Sequence, residues 1–324
     1  MKLATYRPAD PQSPSARIGA VAEDRLVDLN YAFASYLYSV AGQPRARALA
    51  DARVPPGMLE FLRAGPAAVD DARLAVEHAT DGAQARGIDG ERISYGLAEV
   101  RLLAPIPRPG KILAAGKNYA DHAAEGASGE VQLRPFPVGF VKVSSAVVGP
   151  DDPVPLPRVT AELDYEVELA VVIGRPGRYI PRERAYDHVA GYTILNDVSA
   201  RDIQLAEAAY GNHMVGKNMD ALSPMGPWIV TADELRDPAS ARVRLSVNGE
   251  PRQDSTVASL IHDIPALIER WSWMTLQPGD VIATGTPAGV ALGGKFPYLK
   301  VGDVMECSID GIGELRNQIV AESL

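Results

Sequence analysis

Three acidic residues stand out by type and spacing. Glu166 and Glu168 lie in Glu162-Leu163-Asp164-Tyr165-Glu166-Val167-Glu168-Leu169-Ala170-Val171-Val172-Ile173, where Tyr165–Ile173 reads as a strand. Two residues apart on a strand, both side chains leave one face, about 7 Å from each other at the backbone. The apolar run that follows belongs in a core. The two carboxylates therefore lose hydration and repel one another, so cationic charge has to compensate. A second apolar strand, Tyr192–Asn196, ends at Asp197. If Glu166, Glu168 and Asp197 meet, they supply three hard oxygen ligands. That set suits Mg²⁺, or Mn²⁺ or Ca²⁺, with positions left for water and substrate. A plainer reading also fits: a Glu-x-Glu pair on the solvated face of an edge strand, and an Asp capping the next helix. With Cys307 as the sole cysteine, structural zinc held by a thiol cluster is excluded.

The surrounding pattern is strand-rich. Lys111–Ala115, Gly139–Val143, Val189–Asn196, Trp228–Thr231, Val243–Val247, Asp280–Thr284 and Val304–Ile309 all read as strands. Asn248-Gly249 and Asp310-Gly311 read as hairpin turns with positive φ at both positions. Helices are expected at Ala120–Glu125, Ala200–Ala209 and within Val257–Met274. In the last, Pro265 favours a start after a cap at Asp263. The first hundred residues carry strands at Lys2–Arg7, Arg17–Ala22 and Arg25–Leu29, then helical patterns at Tyr31–Val40, around Met58, Leu59 and Leu62, and over Val69–His78. Pro105-Ile106-Pro107-Arg108-Pro109-Gly110 suits neither helix nor central strand, because its prolines lack amide donors. The expected fold class is α+β, mainly β: a small α+β domain over residues 1–104, then a largely antiparallel β domain with rim helices over residues 105–324.

Composition narrows the function. The 324 residues are 46% hydrophobic and 23% charged, enough for a sizeable core. Asp and Glu number 41 against 32 Lys and Arg, a net charge of −9, which disfavours nucleic acid and anionic membrane as partners. No apolar run approaches the ~18 residues of a membrane helix. Met1–Gln12 has charges and prolines where a signal peptide would be apolar. One cysteine allows no intrachain disulfide. These features predict a soluble, cytoplasmic protein.

Several blocks, in order, resemble the fumarylacetoacetate hydrolase family. They are Gly116-Lys117-Asn118-Tyr119-Ala120-Asp121-His122, Asp164–Ala170, Asn196-Asp197-Val198-Ser199-Ala200-Arg201-Asp202-Ile203-Gln204, Gly216-Lys217, Ser223–Trp228, Val247-Asn248-Gly249 and Thr284-Gly285-Thr286-Pro287-Ala288-Gly289-Val290. Each is weak alone; together they are specific. The resemblance covers residues 105 to the end, with residues 1–104 similar to the small leading domain of longer members. It implies a mixed β-roll or sandwich catalytic domain, a homodimer, and a divalent metal held by Glu166, Glu168 and Asp197. It also implies a catalytic His122 with Glu125, an oxyanion-supporting Lys217, and substrate-binding positions at Lys142, Gln204 and Thr286. Where the family's tyrosine-pathway enzyme has a fourth carboxylate ligand, this chain has Ala115. That implies a bacterial-type member with three protein ligands.

The chemistry so implied is metal-dependent hydrolysis of a C–C bond in an acylpyruvate or β-diketo acid. His122 and Glu125, at i and i+3 of a helical turn, share a face, so Glu125 can orient the imidazole that takes a proton from water. Lys217 would face the developing oxyanion, and Gly126-Ala127-Ser128-Gly129 is small and flexible enough for a lid hinge. The same constellation suits decarboxylation of an oxaloacetate-like 2-oxo diacid, or isomerisation of an unsaturated 2-hydroxy diacid. A non-catalytic metabolite binder is a further alternative. A phosphate loop at Thr284–Gly289 lacks the following Lys-Ser/Thr.

Overall fold

The computed structural model describes residues 1–9, 15–81, 86–125 and 134–323. The Gly126–Gly129 hinge expected from sequence lies outside them.

The central strand is Val167–Ile173, buried at every residue. Its alternation sets the two cores. Leu169, Val171 and Ile173 point into one apolar cluster, with Val243, Leu245 and Ile268. Ala170 and Val172 point into the other, with Phe33, Phe61 and Leu62 from the N-terminal helices. The strand pairs antiparallel with Val189–Asn196 on one side and with Val281–Ala283 on the other.

From there an open, mixed sheet of twelve strands extends in both directions. One way it continues through Ile112–Ala115, parallel to Val281–Ala283, to Gly139–Lys142. The other way it runs through Ser223–Thr231 to Lys2–Pro8, Arg17–Ala22 and Arg25–Asp28. The sheet thus passes from the N-terminal strands into the site-bearing strands. Residues 105–110 carry no helix or strand, as their prolines require. A second sheet of five strands includes Arg242–Val247, Glu250–Thr256, Val304–Ile309 and Gly313–Ala321. Three pairings among the described strands are parallel and the others antiparallel, in keeping with the largely antiparallel, mixed pattern expected.

Local signals show where sequence and structure agree. Asn248 and Gly249 both have positive φ, at 55° and 77°. The other turn differs: Ile309 pairs with Gly313, so three residues span the loop, and of Asp310 and Gly311 the glycine alone has positive φ. A three-residue loop needs a left-handed residue at one position, whereas the two-residue turn needs two. The helix expected within Val257–Met274 is confined to Ile264–Trp271. The Asp263 side chain caps it by accepting from the Ala266 N–H.

Candidate active site

Register brings the three acids together. Val167 pairs with Asn196, so the residues just outside that pair, Glu166 and Asp197, lie opposite one another. The Asp197 N–H donates to the Glu166 carbonyl at 2.8 Å, although the strand begins at Val167 rather than at Tyr165. The Asn196 side chain accepts from the Glu166 N–H at 2.9 Å and steadies the same corner. One carboxylate oxygen from each of Glu166, Glu168 and Asp197 lies within 4.8 Å of the others, and all three residues are buried.

Buried cations surround this trio. Lys217 Nζ donates to Glu166 Oε2 at 2.7 Å and to Asp197 Oδ2 at 2.8 Å. Lys142 Nζ reaches Asp197 Oδ1 at 2.5 Å and the Lys217 carbonyl at 2.6 Å. Arg201 places Nη2 2.6 Å from Glu166 Oε1 and donates from Nε to Asp164 Oδ2 at 2.8 Å. These contacts set the proton affinities. Burial alone would raise the Glu166 pKa, but Arg201, Lys217 and His122 outweigh it and hold the carboxyl well below its ordinary value. Glu168 accepts from the Gly285 N–H at 2.7 Å, with no side-chain cation among the described residues in contact. Burial first, then the charges of Asp197 and Glu166, push its pKa well up. For Lys217 burial is likewise the largest influence, yet Asp197 and Glu166 raise its pKa; for Lys142 burial prevails and lowers it.

Four buried acids, Asp164, Glu166, Glu168 and Asp197, therefore face three buried bases, Lys142, Lys217 and Arg201. Glu168 is the member of the trio with no cationic side chain in contact among the described residues. An all-oxygen donor set short of positive charge fits a hard divalent ion.

A His–Glu pair lines the same cavity as Glu166. Helix Ala120–Ala124 presents His122, whose Nδ1 is 2.9 Å from Glu125 Oε2. Glu125 Oε1 accepts from the Gly289 N–H at 2.7 Å. The loop after Val281–Ala283 thus spends its amides on protein acids, Gly285 on Glu168 and Gly289 on Glu125. Thr286 Oγ1 donates to the Val167 carbonyl and accepts from Gln253 Nε2.

His122, Glu125, Glu166, Gln204, Lys217 and Thr286 line one cavity of about 400 Å³. Glu168 and Asp197 lie buried within the carboxylate cluster. Lys142, expected beside substrate, is fully buried behind Asp197 instead. Arg201 reaches Asp164, Glu166 and Gln204. Asp202 accepts from Thr160 Oγ1 at 2.6 Å. Sequence reasoning passed over Gln253, which also accepts from the Val167 N–H at 3.0 Å. Its one local signal was a glutamine in a strand that ends up buried.

Comparison with known proteins fits this geometry. The sequence profile described as Fumarylacetoacetate (FAA) hydrolase C-terminal matches residues 111–320, which include every residue of the cluster. The chain belongs to the fumarylacetoacetate hydrolase family. Oxaloacetate tautomerase fahd2, mitochondrial, of Xenopus laevis is 38% identical over 325 residues, covering 99% of this chain and 90% of that protein. Oxaloacetate tautomerase YisK of Bacillus subtilis is 44% identical over 270 residues, covering 82% of this chain and 87% of that protein. The solved maleylpyruvate hydrolase of Sphingobium sp. SYK-6, in complex with manganese (II) ion and pyruvate, aligns at TM-score 0.69 and 33% identity over 100% of both chains. The chain is an enzyme of this family with an open-sheet, mainly β fold. No helix among the described residues is long and apolar enough to cross a membrane.

Proposed function

We propose that this enzyme interconverts the keto and enol forms of an oxaloacetate-type 2-oxo diacid with a divalent ion as cofactor. One observation carries the reading: a His–Glu pair lines the same cavity as Glu166, whose carboxylate clusters with those of Glu168 and Asp197. The names of the two tautomerase relatives favour this reaction over the C–C hydrolysis expected first.

Glu166, Glu168 and Asp197 would hold the ion. When bound, it supplies Lewis-acid polarisation of the 2-oxo group. Mn²⁺ in the maleylpyruvate hydrolase supports a divalent ion of the Mg²⁺ or Mn²⁺ kind. With Nδ1 facing Glu125, Nε2 is the ring nitrogen left for proton transfer. It takes a proton from the carbon beside the 2-oxo group; the C–H electron pair becomes the C=C bond, and the carbonyl pair moves to oxygen. The oxygen then gains a proton as His122 releases its own, so the proton count is unchanged. Lys217, buried and held cationic by Glu166 and Asp197, stabilises negative charge on that oxygen.

The test follows the ultraviolet absorbance of enol-oxaloacetate with Mg²⁺, Mn²⁺ or EDTA, alongside release of CO₂ and cleavage of an acylpyruvate. Metal-dependent loss of the enol faster than either other reaction is expected. Acylpyruvate cleavage outrunning enol loss would return the assignment to a hydrolase.

A further inference from the structure

One buried amide joins the two halves of the site and has no part in the chemistry above. Val281–Ala283 pairs with residues 170–172, and the Thr284 N–H continues the ladder onto the Leu169 carbonyl at 3.0 Å. In the same register the next hydrogen-bonded pair would set Thr286 opposite Val167. Gly285, at φ +101°, turns the backbone before that pair forms. Val167 lies between Glu166 and Glu168 and is fully buried, so its backbone groups need other partners. Side chains supply them. Gln253 Oε1 accepts from the Val167 N–H at 3.0 Å, and Thr286 Oγ1 donates to the Val167 carbonyl at 2.9 Å. Gln253 Nε2 then donates to Thr286 Oγ1 at 2.8 Å and to the Pro287 carbonyl at 2.7 Å.

The second sheet delivers this side chain. Where Glu250–Thr256 pairs with Arg242–Val247, Pro251 faces Ser246 and Gln253 faces Leu245, which leaves Arg252 as an extra residue. Such a bulge re-aims the side chains beside it. Gln253 is turned inward and is 1% exposed. The Arg252 carbonyl lies against Gly289, whose own carbonyl accepts from the Tyr165 hydroxyl at 3.1 Å. The loop held in this way is the one whose Gly285 and Gly289 amides reach Glu168 and Glu125. The oxygen of Gln253 thus meets the chain between two acids of the trio, and its nitrogen meets the loop that steadies Glu125.

We infer that Gln253 is a positioning residue that fixes residues 166–168 against the loop at residues 284–289, and so holds the acid trio and the His122–Glu125 pair in one geometry. The inference rests on the reading above and adds what aligns its two parts. Both ends of the amide are required, because the oxygen faces a donor and the nitrogen faces two acceptors.

Two variants separate the two ends. Gln253→Met is similar in length and lacks both polar groups. Gln253→Glu keeps an oxygen for the Val167 N–H and loses the donor toward Thr286 and Pro287. Calorimetric titration of the full chain with Mn²⁺ reads the trio, and steady-state enol loss at saturating Mn²⁺ reads the whole site. Gln253→Met is expected to weaken Mn²⁺ binding and lower kcat, each by about 10- to 100-fold, the usual range for groups that orient metal ligands, with KM little changed. Gln253→Glu is expected to lower kcat by about tenfold or more, while Mn²⁺ binds no more weakly than to wild type. In both variants hydrogen exchange at the Gly285 and Gly289 amides should accelerate while that at Val171 does not, which separates local release from global unfolding. If Gln253→Met yields no folded protein, Gln253→Glu decides, and wild-type kcat in it overturns the inference. Wild-type kcat and Mn²⁺ affinity in Gln253→Met, even beside a lowered melting temperature, would make the residue a support of the fold alone and overturn it likewise. A wild type that binds Mn²⁺ without enol turnover would overturn the reaction, and loss of Mn²⁺ affinity in Gln253→Met would still uphold the positioning role.

Discussion

Glu125 Oε1 accepts a hydrogen bond from the Gly289 N–H at 2.7 Å, across 164 residues of chain. Gly289 has φ +110°, and a Cβ there would come within 2.0 Å of the Arg252 carbonyl oxygen. The amide that steadies Glu125 thus exists in this position because no side chain is present. Gly289→Ala is expected to shift the loop and lower kcat for enol loss by tenfold or more, through a misaligned His122. Steady-state kinetics beside a crystal structure of the variant checks this; wild-type kcat would refute it.

His122→Asn keeps a polar group of similar size but removes the base. Proton transfer should fall by about 10²- to 10⁴-fold, the usual range for a positioned acid–base group. Glu125→Gln should fall less, because the imidazole remains while its orientation and charge support weaken. The readout is exchange of the substrate's C3 hydrogens with deuterium, followed by nuclear magnetic resonance. Equal exchange in wild type and His122→Asn would end the role assigned to this pair.

The acid trio predicts linkage between metal and stability. An ion that binds only the folded chain, at a hundred times its Kd, adds about 2.7 kcal/mol. Mg²⁺ or Mn²⁺ should therefore raise the melting temperature and EDTA should lower it, with Asp197→Asn abolishing most of the difference. A melting temperature indifferent to all three conditions would speak against the site.

Lys142 is a buried cation on Asp197. Lys142→Met leaves that carboxylate with Lys217 alone, and removal of one partner from a buried pair costs about 3–5 kcal/mol. Urea unfolding of the metal-free protein measures it. A loss below about 1 kcal/mol would place Lys142 among ordinary surface pairs.

Glu207 gives a pH dependence. Burial favours its neutral form, but the N–H groups of Val215, Gly216 and Met214, with His213, outweigh that and lower its pKa. A depressed pKa in the folded state means that the anchor's stabilisation is fully present above the unfolded carboxylate value, about 4.3, and is lost as pH falls through the folded value. Hydrogen exchange at residues 214–216, corrected for intrinsic pH effects, should accelerate in that acid window. At pH 7, Glu207→Gln should already exchange about tenfold faster, the equivalent of about 1.4 kcal/mol. Unchanged protection in the variant would remove the anchor.

Short-range spacing carried part of this site. Glu166 and Glu168 converge from either side of Val167, where the strand begins, and His122 meets Glu125, the residue that ends its short helix. The Asn248-Gly249 turn and the Asp263 cap follow from conformational preferences within a few residues. The ordered motif blocks, too, pointed to the family that the profile match assigns.

Contacts made across the fold lay beyond that reach. The pairing of Val167 with Asn196 decides that Asp197 faces Glu166, and strand register is a property of two distant segments together. The pattern did require buried carboxylates to find cations, yet several lysines and arginines could have answered. Packing sent Lys142 behind Asp197, brought Arg201 onto Glu166, and carried Gln253 to Val167 across 86 residues. Local propensity acts through neighbouring dihedrals, whereas charge compensation in a core acts through space, so only the assembled sheet could choose the partners.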